Sequence, residues 1–365
     1  MSECYEIDFI PVGSGKRSGD AICFRYGTPG NYKIVVYDGG TKDSGTKLVQ
    51  HIRQHYGVEH VDYVVCSHPD ADHASGLSVV LEELSVGELW MHRPWNYSLT
   101  IRDYFRDGRI TDKSLEERLR EKMSAAHTLE QIAEEKGIPH FEPYQGAQIG
   151  PFYVLSPSKD WYIHELIPAF AKSPKQKARN TNESWTLKSI FDAASAAVER
   201  MLENWDIETL RESVTTSAEN ESSVVLFGTV AERGILLMGD AGIQALSGAA
   251  NYAEQCGVSI PNHLRFAQVP HHGSRNNVSP TVLDRLIGPK LTVPTQEKNV
   301  TAFVSAAKES ETHPRKAVVN AFIRRGATVL QTKGQSVRHH FKMGNRQGWG
   351  PVDPLAFSQE VEAWD

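Results

Sequence analysis

Ser67-His68-Pro69-Asp70-Ala71-Asp72-His73 brings two imidazoles and two carboxylates into a span of six residues beginning at His68. Nitrogen and oxygen donors at that density suit a divalent ion, whereas unpaired ionisable groups buried together are costly. A solvated polar turn is the plain alternative. Two later segments add donors: Gly239-Asp240 closes the apolar run 234–238, and Pro270-His271-His272-Gly273-Ser274 follows the apolar run 264–269. Taken singly, Asp240 is a turn residue and the paired histidines are a surface feature. At the ends of strands in a layered sheet they converge on one edge, where ligand sites of α/β proteins lie.

The elements that must hold these donors are legible as hydrophobic pattern. Residues 61–66 form a β-branched run that delivers the chain to His68, after a helical spacing over 46–56. Residues 7–12 are predicted as the first strand, and 21–26 with 33–37 as a hairpin closing on Asp38-Gly39-Gly40. Strand character recurs at 152–157, 223–230, 234–238, 264–269 and 327–331. Residues 115–135 are predicted as one long surface helix, 185–210 as a second helical stretch, and the polar segment 172–180 as a mobile loop. The expectation is an α/β chain, residues 1–365 forming a single catalytic domain with helical insertions near 96–137 and 158–215.

Bulk properties narrow the function. A hydrophobic share of 40% supports a large core, and a net charge of -6 gives no support to a broad DNA-coating surface. Cys4, Cys23, Cys66 and Cys256 form no CxxC pair and are taken as reduced thiols. The first residues carry no basic region leading into an apolar run, and no stretch is long enough to span a bilayer. A cytoplasmic location without a membrane partner is expected.

The whole series resembles the metallo-β-lactamase superfamily, whose H-x-H-x-D-H motif is followed at a distance by a strand-end Asp and a further His. The variant here, H-x-D-x-D-H, resembles the hydrolase domain of ComEC-type DNA-uptake channel proteins. Gly19-Asp20-Ala21-Ile22, Asp38-Gly39-Gly40, Asn220-Glu221-Ser222-Ser223, His271-His272-Gly273-Ser274 and Thr312-His313-Pro314 match that subgroup in order. The resemblance implies a four-layer αββα metallo-β-lactamase sandwich and two divalent ions. One ion would be held by His68, Asp70 and Asp240, the other by Asp72, His73, Asp240 and His271, with His272 the other candidate for the last place. The chain departs from the pattern in lacking both membrane spans and a middle metal-binding histidine near Asn220. With Asp70 where an imidazole is usual, the first site favours Mn²⁺ or Mg²⁺ relative to Zn²⁺, without excluding zinc.

The implied activity is hydrolytic: a phosphodiesterase or nuclease in which metal-bound hydroxide attacks phosphorus, Asp72 is catalytic as a metal carboxylate, and His272 or His313 protonates the leaving oxygen. His313 is equally a helix-opening residue before Pro314. Substrate contacts are assigned to His92, Asn220, Ser274 and the basic run Lys172, Lys175, Lys177 and Arg179. An exposed loop histidine, a strand-entry turn and a solvated loop are the plainer readings of His92, Asn220 and the basic run. The substrate stays open between a nucleic acid and a nucleotide. Hydrolysis of a lactone, thioester or amide, and a non-catalytic binding or regulatory subunit, are the competing functions.

Overall fold

The computed structural model describes residues 3–13, 15–176 and 200–364. Two seven-stranded mixed sheets stand face to face. The first runs, in spatial order, Val337–Phe341, Cys4–Phe9, Ala21–Thr28, Asn31–Gly39, His60–Val65, Ser85–Trp90 and His140–Phe141. The second runs Ala327–Gln331, Val300–Val304, Leu264–Gln268, Arg233–Leu237, Val225–Val230, Phe152–Ser156 and Gln148–Ile149.

The period-two alternation of side chains along a strand builds the layers. Ile22 and Phe24 enter the core between the sheets, while Ala21 and Cys23 face the helices that cover the first sheet. On the second sheet Ile235 and Leu237 point inward, and Leu236 points to its own helical cover. Phe9, Phe266 and Phe303 meet edge to face across the middle layer, with ring centroids 5.1 to 5.9 Å apart. Helices Lys42–His51, Ala71–Glu83 and Ser124–Lys136 cover one face, and Ile243–Gln255, Pro280–Leu286 and Lys316–Arg324 the other. The architecture is the expected αββα sandwich.

In the first sheet Asn31–Gly39, His60–Val65 and Ser85–Trp90 pair in parallel, as do Arg233–Leu237, Leu264–Gln268, Val300–Val304 and Ala327–Gln331 in the second. Parallel strands end on the same side, so Asp38, His68, Asp240 and the two histidines after Gln268 gather at one edge of the sandwich. Gly76 sits against the Gly39 backbone, and a Cβ at Gly76 would collide with the Gly39 carbonyl. That close approach seats helix Ala71–Glu83 on the end of Asn31–Gly39.

Several sequence expectations are corrected. The first strand is Cys4–Phe9 rather than 7–12. The single helix expected over 115–135 is two, Asp112–Lys122 and Ser124–Lys136, because Met123 leaves helical geometry at φ −114° and ψ 42°. These helices do not merely decorate the surface: Leu115, Leu119, Met123, Leu129 and Ala133 are buried beside the helices of the first sheet. Residues 185–199 of the second expected helix lie outside the described residues. From Arg200 onward the chain is no helix: Arg200–Leu202 pairs antiparallel with Glu360–Glu362, and Asn204 Oδ1 then accepts from the Asp206 and Ile207 amides in a turn. The expected loop 172–180 is fastened over its described part, since Arg106 N donates to Lys175 O at 2.9 Å and Phe105 bridges to Gln176. Among the described residues no helix is long and apolar enough to cross a membrane.

Candidate metal centre

Asp38 organises the site from behind. Its Oδ1 accepts from the Ser67 amide at 2.7 Å, and its Oδ2 accepts from the Ser67 hydroxyl at 2.5 Å and from His73 Nδ1 at 2.9 Å. Since Ser67 donates to Asp38, its oxygen is free to accept from His68 Nδ1, 2.9 Å away. One buried carboxylate therefore orients both imidazoles through Nδ1, His73 directly and His68 by way of Ser67, and turns Nε2 of each toward the centre. Asp38 holds a left-handed φ of 58°, a conformation a non-glycine residue adopts only when its surroundings impose it.

Both Nε2 atoms face Asp240. His73 Nε2 lies 3.4 Å and His68 Nε2 3.9 Å from Asp240 Oδ2, with His271 Nε2 3.6 Å from the same oxygen. His272 Nε2 approaches the other oxygen at 3.8 Å. Asp240 is thus ringed by four imidazoles. It is set by the Ser223 hydroxyl on its own amide at 3.1 Å, and by Gln268 Oε1, which accepts from the Met238 and Gly239 amides. His271 and His272 stand in left-handed backbone at φ 45° and 57°, which turns two consecutive side chains toward one centre. Asn277 Oδ1 lies 2.7 Å from His271 Nδ1 and fixes that ring in turn.

Ligand-type atoms of Asp20, His73, Asp240 and His272 all lie within 4.8 Å of one another, a span that suits one ion with donors at roughly 2.0–2.4 Å. Asp20 Oδ2, His68 Nε2, His73 Nε2 and Asp240 Oδ1 are buried and meet no hydrogen-bond partner. Buried polar atoms are normally satisfied, so three orphans inside this group, with the His68 atom beside it, fit a cation. The electrostatics agree. Burial raises Asp20 to about 8, assisted by Asp240 and Asp38. Burial alone would depress His73, but Asp240 and Asp38 hold it well above the usual histidine range. Burial also opposes the charge on Asp240, yet His73, His271 and His272 keep its carboxyl well below the usual range. Positive charge is favoured at this point.

The remaining sequence candidates spread around that group. Asp70 caps the N-terminus of helix Ala71–Glu83 by position and turns Oδ2 toward His68 Nε2 at 3.8 Å, while its Oδ1 meets Lys172 Nζ at 2.6 Å. Asp72 is half-buried in the first turn of that helix and stands outside the four-donor group. Asn220 Nδ2 donates to Thr216 Oγ1 at 2.8 Å and lies 3.3 Å from His271 Nδ1, beside the histidine loop. Ser274 is buried in the turn after the histidines, its amide donating to His271 O. Pro314 does not open a helix: Lys316–Arg324 begins after an Arg315 cap. The His313 loop instead packs on the histidine loop through Arg315 N and Gly273 O, and burial lowers His313 to about 4. His92 is neither exposed nor at the centre. It is buried against Tyr162 and Tyr144, at ring separations of 4.2 and 4.9 Å. Lys175 is exposed, and Lys177 and Arg179 lie outside the described residues.

Sequence reasoning gave Asp20 only a supporting part and passed over Asn277 and Gln268. Asp20 carried a usable signal, a carboxylate at the entry of an apolar strand. Asn277 and Gln268 carried none, because their roles come from the loop after the histidines and from the pairing of neighbouring strand ends.

Residues 29–151 match the family model described as the metallo-beta-lactamase superfamily. That stretch contains the His68 to His73 cluster and Asp38, and the two-sheet sandwich with helical covers is consistent with the same fold. No curated protein matches the chain. Similar solved structures include a diphosphatase of the PhnP family, at 11% identity over 93% of this chain and 98% of that one, with a TM-score of 0.36. Another is metallo-β-lactamase SMB-1 bound to 2-mercaptoethanesulfonate, at 10% identity, covering 73% and 82%, with a TM-score of 0.30. YhfI from Bacillus subtilis, a metallo-β-lactamase fold protein, is 10% identical, covering 83% and 98%, with a TM-score of 0.31.

Proposed function

We propose that the chain is a metal-dependent hydrolase that cleaves phosphodiester bonds of a nucleic acid or nucleotide, related to the ComEC-type hydrolase domains. The observation that carries this reading is the convergence of buried, partnerless ligand atoms from Asp20, His73 and Asp240 at the sandwich edge, with the His68 atom beside them. His272 completes the group with Asp20, His73 and Asp240, and Asp70 and His271 stand at its rim. Two carboxylates in the group, Asp20 and Asp240, with Asp70 beside it, favour an oxygen-seeking ion such as Mn²⁺ or Mg²⁺ over Zn²⁺. Such an ion, when bound, makes water acidic enough to attack near neutral pH and offsets charge on phosphoryl oxygens.

The chain's own groups prepare that reaction. Asp38 orients the imidazoles, and the buried sandwich edge strengthens every charge interaction inside it. His313, kept neutral at pH 7 by burial, offers an N–H to the leaving oxygen from the loop beside His271. Four cysteines without disulfides suit a reducing compartment, and we place the activity in the cytoplasm.

The test is a panel of bis-p-nitrophenyl phosphate, single- and double-stranded DNA, RNA and cyclic dinucleotides, set against lactone, thioester and β-lactam substrates. The chelated and reconstituted protein should cleave a phosphodiester faster with Mn²⁺ than with Zn²⁺. Turnover confined to lactones, thioesters or β-lactams overturns the reading, as does inactivity on every phosphodiester at full metal content.

A further inference from the structure

The resident cation at Asp70 is a lysine. Lys172 Nζ lies 2.6 Å from Asp70 Oδ1, at a site where both side chains are about one-third exposed. The contact is built rather than incidental. The Lys172 amide donates to Glu219 Oε1 at 3.4 Å, its carbonyl accepts from Arg118 Nε at 3.4 Å, and Ser173 beside it is buried with its hydroxyl on Ile167 O at 2.7 Å. Glu219 is itself buried, so the backbone that presents Lys172 is anchored to the core.

This arrangement divides the centre into two unlike halves. Asp20, His73, Asp240 and His272 form a closed group of buried donors in which Asp20 Oδ2, His73 Nε2 and Asp240 Oδ1 have no partner. Next to it, His68 Nε2 stands 3.8 Å from Asp70 Oδ2 and 3.9 Å from Asp240 Oδ2, outlining a second position whose carboxylate already carries an ammonium. A divalent ion placed there would face a like charge a few ångströms away and compete for the same carboxylate.

We infer that the centre holds a single divalent ion, in the group of Asp20, His73, Asp240 and His272, and that the Lys172 ammonium takes the place of a second ion at Asp70. The inference rests on the metal-centre reading above. A lysine in that place supplies a point charge for an anionic oxygen of the substrate without any loading step. It also makes anion binding independent of a second metal equivalent.

Metal counting tests this without reference to turnover. The full chain, stripped and reconstituted with excess Mn²⁺ and then desalted, should retain one equivalent by elemental analysis and give the spin resonance signal of an isolated Mn²⁺. Lys172→Ala should retain close to two equivalents and show exchange broadening, whereas Lys172→Arg, which keeps the charge, should stay at one. Two equivalents with a coupled signal in the unaltered chain, or no retained metal, overturns the inference whether or not the variants fold. A folded Lys172→Ala that stays at one equivalent overturns it as well. Failure of the phosphodiester reading would be visible separately, as absent cleavage by a protein whose metal count is unchanged.

Discussion

Two clusters of buried charge border the first sheet, one on its helix-covered face and one at the edge it shares with the second sheet, and only the latter resembles a site. On the helix-covered face of Cys4–Phe9, Glu6 and Asp8 are fully buried, and Asp8, Cys23 and His51 even bring ligand-type atoms within 4.8 Å of one another. Yet both Asp8 oxygens accept from Arg346 at 2.7 Å, Tyr56 donates to Asp8 Oδ2, and Glu6 is paired with Arg25, Arg338 and Arg346. His51, Arg346 and the Tyr56 hydroxyl leave no vacancy for an ion. At the strand-end edge, by contrast, Asp20, His68, His73 and Asp240 present atoms with no partner in the protein. Buried ionisable residues therefore do not mark chemistry by themselves. The mark is a set of donors whose charge and lone pairs converge without being satisfied.

That distinction is broken most directly at its two centres. Asp240→Ala should cost more than about 100-fold in metal affinity, above the range usual for losing an indirect metal contact, while leaving the fold cooperative. Isothermal titration with Mn²⁺ reads the effect, and an affinity within about 10-fold of the parent would remove Asp240 from the centre. Arg346→Ala should do the reverse. It leaves Asp8 and Glu6 buried with less compensation, so denaturant unfolding at pH 7 should show a loss of about 3–5 kcal/mol, with metal affinity of the surviving native protein unchanged. A stability loss under about 1 kcal/mol would mean that the paired cluster is solvated rather than buried.

Asp38 sharpens the comparison because it is buried and satisfied like Asp8, yet its partners are His73 and Ser67, through which it also reaches His68. Asp38→Asn preserves shape and one acceptor but weakens the hold on the Nδ1 proton of His73. Metal affinity should fall by about 10–100-fold, the range for removing an outer carboxylate behind a histidine ligand. Unchanged affinity would reduce Asp38 to a turn residue.

How much of this was visible beforehand follows from the range of the interactions. The layers were legible because the apolar runs 21–26, 33–37 and 234–238, bounded by turn residues, are local patterns, and the donors because His68 to His73 are crowded in sequence. The break at Met123 was not legible, since 115–135 is helix-favouring throughout and the break comes from tertiary burial of Met123. Val337–Phe341 was missed because its outward residues are charged and polar, and Arg338 is tolerated in the sheet through its pairing with Glu6, a residue at the other end of the chain. Asp20 became a donor only when the turn before Ala21–Thr28 was laid against His73, a contact no spacing rule anticipates.

His92 supplies the smallest and cleanest test, because it separates unsatisfied atoms from convergent ones. Both its ring nitrogens are buried without hydrogen-bond partners, but its neighbours are the rings of Tyr162 and Tyr144 rather than carboxylates. Burial alone lowers it to about 3. An unfolded histidine titrates near 6.5, so between that value and 3 the unfolded chain binds a proton that the folded chain refuses. The contribution of His92 to stability is therefore flat above about pH 6.5 and is lost as pH falls, at about 1.4 kcal/mol per pH unit. His92→Phe fills the same aromatic niche without the titrating nitrogen. Urea unfolding at pH 6 and pH 4 should show an acid slope shallower by about that amount in the variant, with no change in metal affinity. An identical slope would mean that His92 takes up its proton in the folded state, and altered metal affinity would bring this ring into the centre from which its surroundings separate it.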